Sequence, residues 1–71
     1  MENLEVLAKC DLINTDGSFY GAIVLTQNNR TQMYAVYFQN KDTQSLEFGR
    51  YYTLRMPATQ GYKNRIKEYL N

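Results

Sequence analysis

The chain has 71 residues and a net charge of +1, from eight Lys and Arg against seven Asp and Glu. One Cys and no His exclude an intramolecular disulfide and deprive a structural zinc of its usual donors. A hydrophobic share of 44% at this low net charge also excludes the disordered class.

The length fits one domain, which at this size buries only about 60% of its unfolded surface. With disulfide and zinc excluded, stability must come from a well-packed core or from a partner chain. The N-terminal residues Glu2 and Glu5 are acidic where a secretory leader would be basic. No apolar run approaches the roughly 20 residues that cross a bilayer. A lone thiol suits a reducing compartment. The expectation is a cytoplasmic protein, complete from its own Met1 and without a membrane segment.

The dominant pattern is period-two alternation, the mark of half-buried strands. A first strand is expected at residues 3–13, with Leu4, Val6, Ala8, Cys10 and Leu12 on one face. Asp16-Gly17 supplies a turn. A second strand covers residues 19–27, and Asn28-Asn29 reads as a tight hairpin turn. The third strand, residues 31–39, is apolar or aromatic on both faces. Met33, Ala35 and Tyr37 form one, and Tyr34, Val36 and Phe38 the other, as in a strand covered on both sides. Residues 40–45 form a polar loop. A fourth strand is expected at residues 46–56, interrupted by Gly49 as a bulge or bend and ended by Pro57. From residue 60 to 70 the period becomes helical. Tyr62, Ile66, Tyr69 and Leu70 form the stripe, and Lys63, Arg65 and Lys67 lie off it. No internal repeat stands out.

The fold class expected is therefore mainly β. It is a small antiparallel sheet of four strands, or five if Gly49 splits the last, curled toward a partial barrel with a short C-terminal helix.

Catalysis has little to stand on. The commonest general base near neutral pH is missing, and Cys10 has no partner to activate it. The carboxylates stand at turns, at the N-terminus or on solvent-facing positions, and no phosphate, dinucleotide or calcium loop occurs. No enzyme activity, no cofactor and no metal are expected.

Charge is laid out unevenly. Residues 1–48 carry three cations and six anions, and residues 49–71 carry five cations and one anion. Cations interleaved with aromatics suit single-stranded DNA or RNA, because cations track phosphates while Tyr faces stack on bases. The candidate nucleic-acid residues are Arg50, Tyr51, Tyr52, Arg55, Tyr62, Lys63, Arg65 and Lys67. Against them stand the roles of Tyr as an ordinary strand residue and of late helix cations as dipole complements. The pI near 7.8 is also modest for a nucleic-acid-binding domain.

The segment Leu46-Glu47-Phe48-Gly49-Arg50-Tyr51-Tyr52-Thr53-Leu54 resembles a late strand of small OB-fold and SH3-like barrels. That resemblance implies a binding module for oligonucleotides or peptides. It covers nine residues, and the loop at residues 40–45 is too short for the helix OB-folds carry there. The alternative function is protein binding. Small, His-free chains of this style resemble accessory proteins of phages and mobile elements, some of which inhibit a host protein. An edge strand and the aromatics Phe19, Tyr20, Tyr34 and Tyr37 would then contact a host protein or a second copy of the chain.

Overall fold

The structure is a computed structural model that describes residues 3–70; for Leu70 only the backbone is described. The acidic start at Glu2 and the Leu70 end of the helical stripe lie outside the described side chains. Four strands, β1 (Leu4–Ile13), β2 (Phe19–Asn28), β3 (Tyr34–Asn40) and β4 (Leu46–Tyr52), precede one helix, α1 (Arg55–Leu70). The sheet is an antiparallel meander in the order β1-β2-β3-β4. It curls but does not close, so β1 and β4 are both edges.

The helix covers one face. Leu12, Ile23, Leu25 and Val36 pack there with Ala58 of α1 to form the core, and Tyr62, Ile66 and Tyr69 pack around them. Gly21 is needed in this layer, because a Cβ there would lie 2.5 Å from the Phe38 ring.

Bulges decide which side chains share this face. Val6 pairs with Thr26 and Ala8 with Leu25, so Leu7 is an extra residue in β1. An extra residue reverses the alternation beyond it. The face expected to run from Leu4 to Leu12 is therefore split. Ala8, Cys10 and Leu12 stand opposite the helix-facing residues of β2, while Leu4 and Val6 stand on the other face. In β4, Phe48 and Gly49 together oppose Tyr37, with Arg50 opposite Val36 and Glu47 opposite Phe38. Phe48 takes φ +55° there. Gly49 has an ordinary φ, but a Cβ on it would lie 2.6 Å from the Tyr37 ring. The interruption at Gly49 is thus a bulge within one strand. It puts Leu46 on the face opposite Tyr52, where unbroken alternation would have kept the two together.

The fourth strand ends at Tyr52, earlier than expected, and Arg55 and Met56 are helical. Pro57 sits in the first turn of α1, where its missing N–H has no helical partner to lose.

Residues 28–33 and 40–45 fold as the same loop, which replaces the expected two-residue turn at Asn28-Asn29. In each, the Asn side-chain oxygen accepts from the amides two and three residues on: Arg30 and Thr31 for Asn28, Asp42 and Thr43 for Asn40. The left-handed residue is Gln in both, Gln32 at φ 64° and Gln44 at φ 62°. Each Gln amide donates back to the Asn carbonyl, at 2.7 Å and 2.8 Å. The shared pattern is Asn-x-x-Thr-Gln, which the sequence carries twice.

Candidate binding face

Among the described residues no element lies over the other face of the sheet. Strand register places Lys9 and Asp11 of β1, Ala22, Val24 and Thr26 of β2, Ala35, Tyr37 and Gln39 of β3, and Leu46 and Tyr51 of β4 on it. Its floor is nevertheless dry. Ala22, Val24, Thr26 and Ala35 are all buried, with Ala35 the most exposed at 5%. Curl and tall neighbouring side chains accomplish this, forming a trough. Two adjoining clefts of about 570 Å³ and about 180 Å³ share Leu4 and Thr26 as walls.

The trough is apolar at its base and mostly polar and uncharged at its rim. The Thr26 hydroxyl donates to the Ala35 carbonyl at 3.3 Å, so the one polar side chain of the floor is satisfied internally. The two matching loops supply the polar ends. Asn28 and Thr31 line the smaller cleft, and Gln44 and Ser45 line the larger. Among the described residues Lys9 is the single charged one lining either cleft.

Tyr37 and Tyr51 form one wall. Their rings meet edge to face, with centroids 6.0 Å apart, and the Tyr37 hydroxyl donates to the Tyr51 hydroxyl at 3.5 Å. The Tyr37 phenol is pushed up to about 12, first by burial, then by that hydrogen bond and the charge of the neighbouring phenolate. The Tyr37 side of this wall therefore stays uncharged throughout the physiological range.

The eight residues expected to contact nucleic acid do not share one surface. Tyr51 lies on the open face. Arg50 stands on the helix side of β4, 3.8 Å from Glu68 of α1. Tyr52 is half-buried on the same side, and a Cβ on Gly61 of α1 would run into its hydroxyl. Tyr62 is half-buried against the core, with its phenol pushed up by burial and by the nearby Cys10. Arg55, Lys63 and Lys67 are exposed on α1.

Arg65 is 4% exposed, and its guanidinium donates to the Val36 carbonyl at 3.1 Å. The sequence had set it off the helical stripe. At 100° per residue it stands only about 60° from Tyr62, on the stripe's flank. Its place is inside, where it joins α1 to β3 beside the β4 bulge.

The aromatics considered for protein contact also divide. Tyr20 and Tyr34 pack toward the core, and the Tyr20 hydroxyl donates to the Tyr69 carbonyl at 3.4 Å. Phe19 is exposed at the start of β2, and Tyr37 is on the trough wall. Sequence reasoning missed Val6, Lys9, Thr26, Gln39 and Leu46 as lining residues. Strand parity alone groups Thr26 and Gln39 with Ala35 and Tyr37, whereas Val6 and Lys9 share that face only because of the bulge at Leu7, and Leu46 only because of the bulge at Phe48.

Among the described residues no three His, Cys, Asp or Glu side chains come together, and no helix is long and apolar enough to cross a membrane. No family model, no curated protein and no solved structure matches this chain.

Proposed function

We propose that the chain is a non-enzymatic binding module that takes an apolar polypeptide surface in the trough of its open sheet face. The observation that carries this reading is a floor of Ala22, Val24, Thr26 and Ala35 kept from water with no layer above it among the described residues. Such a site is formed before its ligand arrives, which limits the ordering cost of binding. Its rim of amides and hydroxyls suits main-chain groups of a polypeptide, and one cation among its described lining residues suits phosphates poorly. A cytoplasmic setting goes with the unpaired, half-buried Cys10. Inhibition of a host protein is one use of such a module.

Panning a random-peptide library on the full chain tests the reading. The expected peptides are apolar, lose about tenfold or more in affinity when Val6→Asp or Tyr51→Ser alters the trough, and bind Lys63→Ala/Lys67→Ala as they bind the parent. Labelled single-stranded DNA and RNA, titrated at two salt concentrations, provide the opposing result. Salt-dependent binding that disappears with Lys63→Ala/Lys67→Ala would replace this proposal with the nucleic-acid reading.

A further inference from the structure

We infer that the occupant of the open face is a second copy of this chain, packed face to face about a two-fold axis. The inference rests on the open-face reading above and names its partner.

Charge complementarity is the first argument. Lys9 and Asp11 are consecutive residues of β1 on the open face, opposite Val24 and Ala22. A two-fold contact brings residue i to residue j and residue j to residue i. An axis crossing β1 at Cys10 therefore sets each Lys9 against the partner's Asp11, twice over. The axis also passes the middle of β2, because Cys10 stands opposite Ile23. A net charge of +1 per chain leaves little repulsion between copies.

The edges supply the second argument. A meander can also recruit a copy by extending its sheet, but both edge strands are bulged, at Leu7 in β1 and at Phe48 in β4. A bulged edge twists away from the flat ladder that such pairing needs. The apolar face remains. It also carries its own ridges, since Val6 and Tyr51 are 58% and 65% exposed beside the trough. That axis sets like strand over like strand, so the β1 and β4 ridges of one copy meet those of the other and the two troughs face each other.

Area sets the strength. Four strands about 4.8 Å apart, with seven paired residues at about 3.3 Å each, give a footprint of roughly 450 Å². Durable interfaces bury about 800 Å² per partner, so the contact falls in the weak, transient class.

Sedimentation equilibrium of the full chain tests this between about 10 µM and about 1 mM. The expected result is a mass that climbs from one chain toward two, with a Kd of about 10–100 µM. Lys9→Asp and Asp11→Lys, both at exposed positions, should each weaken association about tenfold. An equimolar mixture of the two variants should recover it, because one face then presents two carboxylates and the other two ammonium groups. A single-chain mass at every concentration overturns the inference. So does a dimer that ignores both charge changes. A chain that stays monomeric yet selects Val6-sensitive peptides loses the second copy and keeps the open-face reading. A chain that does neither loses both.

Discussion

Ile23 and Val24 are neighbours in β2, and both are out of water, at 0% and 1% exposure. They get there by different means. Ile23 is shut in from above, by α1 and the cluster of Leu12, Leu25, Val36 and Ala58. Val24 lies on the other face, walled from the side by residues of its own sheet. A closed layer makes an interior, whereas side walls alone make a trough. Equal exposure therefore hides a difference in what each residue can contribute, core stability in one case and a contact surface in the other.

The largest effect should come from breaking that pair. Ile23→Ala leaves a closed void beneath α1 and should cost about 2–5 kcal/mol. Val24→Ala merely deepens an open trough, so its cost should be about 1.5 kcal/mol, the transfer term for the two lost carbons without a cavity term. Urea midpoints at unchanged m-value measure both. Equal losses would mean that the open face is as closed as the covered one.

A smaller effect sharpens the role of the β4 bulge that sets the two faces. Phe48 holds φ +55°, a region that costs a residue with a Cβ about 1–2 kcal/mol. Its ring is 70% exposed, with the Phe38 ring as a neighbour at 6.4 Å. Phe48→Gly should stabilise the fold by up to about 1 kcal/mol, raising Tm by several degrees in a domain this small. A lower Tm would show that the Phe38 contact outweighs the backbone strain.

The smallest effect is a pH dependence confined to the trough wall. The Tyr37 phenol is raised from 10 to about 12 in the folded chain. Its neutral form is thus favoured by folding. That contribution is complete below pH 10 and is lost as pH rises through about 12. Phenolate absorbance of the parent should show a late-ionising tyrosine that Tyr37→Phe removes. The variant's stability should fall less steeply across the same window. An unchanged titration curve would place the shifted phenol elsewhere.

Much of the framework was legible because alternation and turn chemistry are local. The division of β3 into a Tyr34, Val36 and Phe38 face and an Ala35 and Tyr37 face was read correctly, but both were expected to be covered, and α1 covers only the first. The interruption at Gly49 was legible too, though its cause is the Tyr37 ring lying over it. The candidate site was legible only in Tyr37 and Tyr51, as residue types suited to contact. Two bulges hid part of the rest: the one at Leu7, which no Gly or Pro marks, brings Val6 and Lys9 onto one face, and the one at Phe48 turns Leu46 there. The burial of Arg65 depended on the Val36 carbonyl, 29 residues away in the chain.

The amino-acid sequence by itself determined four strands and a C-terminal helix, and its Cys and His counts set aside disulfide and zinc frameworks. These follow from composition and from periods that each segment carries alone. Only the tertiary structure decided which face α1 covers, and that the other face is a walled trough. It also decided that the C-terminal cations and tyrosines do not meet on one surface. Those outcomes depend on register, and a single extra residue in an edge strand moves a row of side chains from one face to the other.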